Sequence, residues 1–126
     1  MHKSKLSGFI IDCQTTDLDR SAVFWANALG MPVRELPPGE GEIYKRLEDH
    51  QHGLHIEVQA VSHPSRVHLD IETNDIEAEV CRLEGLGARR IEAVRTWVVM
   101  EAPTGQRFCV VRATSADFDV KATAWA

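Results

Sequence analysis

Three short stretches hold the side chains best suited to chemistry. His68 and Asp70 stand two residues apart in Arg66-Val67-His68-Leu69-Asp70. His55, Glu57 and Gln59 alternate within Leu54-His55-Ile56-Glu57-Val58-Gln59, and Asp12 follows Ile10 by two positions. Residues two apart on a strand share a face, so each stretch, if extended, gathers its polar groups on one side. An imidazole beside a carboxylate can relay a proton or ligate a divalent cation. The bland alternative is a set of structural hydrogen bonds, and a lone strand histidine more often plays that part. His50 and His52 form a His-x-His, but in a polar loop without a third ligand at strand or helix spacing. The cysteines at 13, 81 and 109 form no Cys-x-x-Cys pair, and Cys81 and Cys109 read as small buried hydrophobes. No Ser/His/Asp order, P-loop or dinucleotide fingerprint is present, because Gly85-Leu86-Gly87 falls at a helix end.

The elements that position these groups occur twice. Ile10-Ile11-Asp12-Cys13-Gln14-Thr15-Thr16-Asp17-Leu18-Asp19 leads into an amphipathic run ending Leu29-Gly30. His68-Leu69-Asp70-Ile71-Glu72-Thr73-Asn74-Asp75-Ile76-Glu77 leads into a second run ending Leu86-Gly87. Asp12 and Asp70, Asp17 and Asp75, and Leu18 and Ile76 all share one offset, 75 − 17 = 58. In the first copy, residues 8–14 read as a strand, and Thr16 with Asp19 reads as a variant capping box. Leu18, Ala22, Trp25 and Leu29 form a helical stripe, and Gly30 stops it. Strands follow near 32–36, 42–47 and 54–59. The second copy repeats this order. A strand spans 66–72, Asn74 caps a helix with stripe Ile76, Val80 and Leu83, and strands fit 88–94, 96–101 and 107–112. The tail, 113–126, has no strong period, and Phe118, Val120 and Trp125 are its candidates for docking.

Composition narrows the function classes. A chain of 126 residues with 44% hydrophobic and 26% charged residues suits one soluble globular domain. A formal charge of −5 without a dense Lys/Arg patch argues against nucleic acid as a partner. No apolar run approaches the roughly 18 residues of a membrane span. The basic start, Met1 to Lys5, leads into a strand-like segment rather than an apolar signal core. An odd set of unpaired cysteines points to reduced thiols and a cytoplasmic location.

Three segments in this order resemble the vicinal oxygen chelate superfamily, which includes glyoxalase I, bleomycin-resistance proteins and extradiol dioxygenases. They are Thr16–Ser21 through Phe24-Trp25 to Leu29-Gly30, Arg66–Asp70 through Asp75 to Leu86-Gly87-Ala88-Arg89, and Ala102–Cys109. The Phe-Trp pair, the Arg-Val-His-Leu-Asp strand and the Phe-Cys-Val ending look most like the glyoxalase-like domain branch. The resemblance implies an α+β fold: two βαβββ modules with curled mixed sheets enclosing a cupped cavity. They form a single domain over 1–126, with modules at about 8–62 and 63–112 and a C-terminal tail at 113–126.

In metal-dependent relatives, four inward positions hold a divalent cation, and the resemblance places them here at Ile10, Glu57, His68 and Cys109. Ile10 has no lone pair to give, so the implied metal set is His68, Glu57 and Cys109. The candidate catalytic set is Glu57 and His68, from these positions, with Asp70 and Asp12, which strand spacing puts on the faces of His68 and Ile10. These residues would act on an oxygenated metabolite in a lyase or isomerase type reaction. Replacement of the usual fourth-strand carboxylate by Cys109 counts against glyoxalase I activity itself. Lack of a second histidine and that carboxylate removes the iron site of extradiol cleavage. The alternative is a metal-free protein that binds or sequesters a small molecule, as bleomycin-resistance relatives do. The resemblance further implies a homodimer that covers open sheet edges.

Overall fold

The computed structural model describes residues 1–126. Twelve elements run β1 (Lys3–Gln14), α1 (Leu18–Leu29), β2 (Val33–Arg34), β3 (Tyr44–Glu48), β4 (His55–Val61), β5 (Arg66–Thr73), α2 (Ile76–Gly85), β6 (Arg89–Val94), β7 (Trp97–Glu101), β8 (Arg107–Arg112), α3 (Phe118–Lys121) and β9 (Thr123–Ala124). The α+β class and the doubled βαβββ order are those expected from the sequence. The chain forms two compact units, Gly8–Val67 and Met1–Ser7 with His68–Ala126, and β1 contributes to both.

In the Gly8–Val67 unit, the strands run β2-β3-β4-β1, with β1 parallel to β4 and the other pairs antiparallel. Ile11, Leu18, Leu47, Ile56 and Val58 form its buried core, with Trp25 and Ala26 of α1 packed against it. Ile11 and Ile56 alternate with Asp12 and Glu57, so the face under α1 is apolar and the opposite face is polar. Gly8 is required where β1 passes β4: a Cβ there would lie 1.9 Å from the carbonyl oxygen of His55.

In the other unit, the strands run β5-β8-β7-β6, with β5 parallel to β8. Val80 and Leu83 of α2 pack on Val98, Met100 and Val110. The N-terminal segment meets the end of β5, where Thr73 Oγ1 donates to Lys3 O (2.7 Å) and Lys3 N donates to Asn74 Oδ1 (2.8 Å). The tail is docked in this unit. β9 pairs with Lys3 and Ser4, Trp125 Nε1 donates to Ser4 Oγ at 2.8 Å, and Phe118 is buried.

Several local expectations shift. The helix caps are Asp17 and Asp75, one residue beyond Thr16 and Asn74. Asp17 Oδ1 accepts from Arg20 N (3.2 Å), and Asp75 Oδ1 accepts from Ala78 N (3.1 Å). Asp19 does not reach back to close a capping box; its carboxylate lies 3.4 Å from the buried Lys45 ammonium. Leu29, at the end of the α1 stripe, is 42% exposed. β2 is only two residues long, because Pro37 and Pro38 follow closely and proline donates no ladder hydrogen bond. β1 begins five residues earlier than the expected 8–14 strand, at Lys3. Its early half buries Ser4 and Ser7 while Leu6 is exposed, so no hydrophobic alternation marks it. No helix is long and apolar enough to cross a membrane.

Candidate functional site

The polar face of the Gly8–Val67 unit is built by strand register. Ile10 lies opposite Glu57, Asp12 opposite Gln59, Arg46 opposite Glu57, and Tyr44 opposite Gln59. All therefore project from the face turned away from α1. His55 Nε2 and Glu57 Oε1 are 2.6 Å apart, a charge-assisted distance, and Gln59 Nε2 donates to Tyr44 Oη at 3.0 Å. Asp12, only 2% exposed, has Arg66 Nε at 3.8 Å. Burial, then the neighbouring Arg34, draws the pKa of Arg46 below its ordinary value, and Glu57 and Glu48 work in the opposite direction. Arg46 Nε is buried without a hydrogen-bond partner. This face offers a carboxylate for proton transfer, an imidazole bonded to it, a guanidinium and a phenol. In the sequence, the only signal for Tyr44 and Arg46 is the alternation of Tyr44, Arg46 and Glu48 with Lys45 and Leu47.

The second set lies in the other unit. His68 and Asp70 are neighbours on one face of β5, and Asp70 is directly opposite Cys109 of β8. His68 Nε2 and Asp70 Oδ1 are 3.7 Å apart. One ligand atom from each of His68, Asp70 and Cys109 lies within 4.8 Å of the other two. Cys109 is 9% exposed, whereas Cys81 is exposed rather than buried. Trp97 shares the Cys109 face, because Val99 is opposite Cys109 and Trp97 is two residues from Val99. Phe108 points the other way, into the core under α2. Glu72 continues the His68–Asp70 face but is fully buried and accepts from Ser115 N (3.2 Å) and Ser115 Oγ (2.6 Å).

Of the four metal positions implied by the resemblance, Ile10 and Glu57 lie in the Gly8–Val67 unit and His68 and Cys109 in the other. Ile10 is a hydrocarbon at 4% exposure, and Glu57 is engaged by His55. His68 and Cys109 share their immediate surroundings with Asp70. His50 and His52 sit in a turn organised by Asp49, whose carboxylate accepts from the backbone N–H groups of Gln51, His52 and Leu54.

Comparison with known proteins gives one family. The sequence model of the glyoxalase-like domain matches residues 8–111. No curated protein sequence matches the chain. A hypothetical protein from Bacillus halodurans C-125 has a similar structure: TM-score 0.65 and 15% identity, covering 89% of this chain and 96% of that one. Methylmalonyl-CoA epimerase from Mycobacterium tuberculosis gives 0.64 and 18%, covering 87% and 88%. A glyoxalase/bleomycin resistance protein/dioxygenase superfamily member from Vibrio splendidus 12B01 gives 0.52 and 19%, covering 84% and 98%. At these identities, the likeness establishes the fold.

Proposed function

The chain belongs to the glyoxalase-like domain family, within the vicinal oxygen chelate superfamily, and we propose that it is an enzyme moving a proton on a small oxygenated metabolite. The observation that carries this reading is the His55–Glu57 pair at 2.6 Å, on a polar sheet face beside Arg46 and Tyr44. Glu57 takes a proton from a carbon next to a carbonyl, and the electron pair moves onto the carbonyl oxygen. Arg46 and Tyr44 supply cationic and hydroxyl donors for oxygens of the substrate, where developing negative charge is best stabilised. Delivery of a different proton, from water or a second acid, to the other face of the carbon, with Glu57 keeping the one it took, makes the reaction an isomerisation. Departure of a group from the next carbon makes it a lyase reaction. Methylmalonyl-CoA epimerase is a structural relative, so the fold accommodates isomerase chemistry. Asp12, on the same sheet face as Glu57, completes the proposed catalytic set of this unit. The working form is a homodimer, a reading supported by Val23 and Phe24 of α1, which are 55% and 61% exposed, and its location is the cytoplasm, a reading supported by three free cysteines.

The second reading, a protein that binds a small molecule without transforming it, is favoured by Ile10, the hydrocarbon at the first-strand position. One experiment separates the two. A panel of 2-oxo acids and acyl thioesters is incubated with the protein in D2O, and exchange of the carbon-bound proton is followed by NMR. Exchange by the wild type that falls at least about 100-fold in Glu57→Gln supports the enzyme, because a positioned base contributes about 10²–10⁴-fold. A raised melting temperature with some panel member, but no exchange above buffer, overturns the enzyme in favour of the binder.

A further inference from the structure

We propose that this chain binds one thiolate-preferring divalent cation, of the Zn²⁺ class, on His68, Asp70 and Cys109. All three ligands come from the second module, in place of the set spread over both modules that the resemblance implies. The site does not depend on the enzyme reading, because it rests on the ligand atoms alone.

Two adjacent strands build it. His68 and Asp70 lie on the same face of β5, and the parallel register puts Cys109 of β8 beside Asp70. The three ligand atoms lie within 4.8 Å of one another, with 3.7 Å between His68 Nε2 and Asp70 Oδ1. Tetrahedral zinc, with metal–ligand distances of about 2.0–2.3 Å, sets its ligands about 3.4–3.7 Å apart. The histidine–aspartate spacing is within a few tenths of an ångström of that for two such ligands, and Cys109 lies within 4.8 Å of both, so side-chain rotations of about an ångström close the site. Three protein ligands leave the fourth position open to water or to an oxygen of a small molecule.

The donor set selects the metal. A hard cation such as Mg²⁺ or Ca²⁺ takes oxygen ligands, whereas imidazole and thiolate favour Zn²⁺ and its analogue Co²⁺. A bound cation holds the Cys109 sulfur as thiolate. The other half of the repeat does not reproduce this ligand set. Asp12 corresponds to Asp70 at the offset of 58, and the residue opposite Asp12 is Gln59. The first-module counterparts of His68, Asp70 and Cys109 are therefore Ile10, Asp12 and Gln59, a set with neither imidazole nor thiolate.

The test is Co²⁺ titration of metal-stripped protein, followed by absorption, together with Zn²⁺ stoichiometry by elemental analysis. The wild type should bind one ion per chain and develop a sulfur-to-cobalt charge-transfer band. Cys109→Ser should abolish the band. Asp70→Asn should weaken Co²⁺ binding at least tenfold. Cys81→Ser and Glu57→Gln should leave the band and the affinity unchanged. Circular dichroism confirms that each variant is folded, and Asp70→Asn serves if Cys109→Ser is not. Absence of the band in the wild type overturns the proposal, as does its survival in Cys109→Ser. Loss of affinity in Glu57→Gln equal to that in Asp70→Asn overturns it in favour of ligands drawn from both modules.

Discussion

Replacing Glu79 by glutamine should destabilise the protein by about 3 kcal/mol, through a cluster on α2 that has no part in the proposed chemistry. Glu79 is fully buried. Its carboxylate accepts from Arg82 Nε and Arg82 Nη2, both at 2.8 Å, and lies 2.7 Å from His2 Nε2. The Arg82 guanidinium stacks 3.8 Å from the centre of the Trp125 ring, and Trp125 bonds Ser4. One carboxylate therefore ties α2 to both chain termini. Glutamine keeps one acceptor oxygen but sets an amide donor against a guanidinium donor. A hydrogen bond to a charged group contributes about 1.5–3 kcal/mol, and removing one partner of a buried pair costs about 3–5 kcal/mol. Relief from burying a carboxylate offsets part of this. With an unfolding entropy of about 2.1 cal/mol/K per residue, 3 kcal/mol corresponds to a fall of roughly 11 °C in melting temperature.

Burial pushes the Glu79 carboxyl up, and the Arg82, His2 and Ser4 donors outweigh it, so its pKa lies below the ordinary value. A depressed folded pKa gives stability that is fully present above the unfolded value, near 4.5, and is lost as pH falls through the folded pKa. The difference in melting temperature between wild type and Glu79→Gln should therefore shrink below about pH 4.5. A double-mutant cycle with Arg82→Leu should show coupling above about 1 kcal/mol. A Glu79→Gln melt within 2 °C of wild type at neutral pH, about 0.5 kcal/mol, would refute the reasoning.

Two further outcomes can be read from melting curves. Gly8→Ala should cost at least about 3 kcal/mol, because its Cβ would meet the His55 backbone at 1.9 Å and strand β4 would have to move. Gly85→Ala, at the last residue of α2 with open space around it, should instead be neutral or stabilising by up to about 1 kcal/mol. Asp17→Ala and Asp75→Ala should each cost about 1 kcal/mol, while Thr16→Ala should cost less than half of that; the reverse order would restore Thr16 as the cap.

The order of elements was legible because each is written in local signals: an acidic or polar cap, an apolar stripe at helical spacing, and a glycine at the stop. Gly30 adopts φ 69° and Gly87 φ 105°, conformations that favour glycine. The N-terminal half of β1 was not legible, because it buries serines and is held by hydrogen bonds to residues some 70 positions away. The Glu79 cluster was hidden for a related reason. A glutamate within an amphipathic helix reads as solvent-facing, and its burial follows from where both termini dock. At the candidate sites, the sequence pointed to Glu57, His68, Asp70, Asp12 and Cys109. It did not show which of them are neighbours within a unit, because partnership across a sheet depends on register, and a slip of one residue would turn every side chain to the other face.

Register also explains how one repeat can carry two chemistries. The positions that the two copies share include the caps Asp17 and Asp75 and the first helical residues Leu18 and Ile76, which build the scaffold, and the strand aspartates Asp12 and Asp70. The positions that differ lie on the polar faces beside those aspartates. Asp12 has Gln59 opposite it and Ile10 two residues before it, whereas Asp70 has Cys109 opposite it and His68 two residues before it. The first copy is thus left with oxygen and amide groups around an aspartate, next to the Glu57–His55 pair. The second surrounds the equivalent aspartate with imidazole and thiol. On the two proposals made above, the same backbone, with two substitutions per face, separates proton transfer in one copy from cation binding in the other. If this division holds, Glu57→Gln should stop proton exchange with cobalt binding intact, and Cys109→Ser should abolish the cobalt band without disturbing the His55–Glu57 pair.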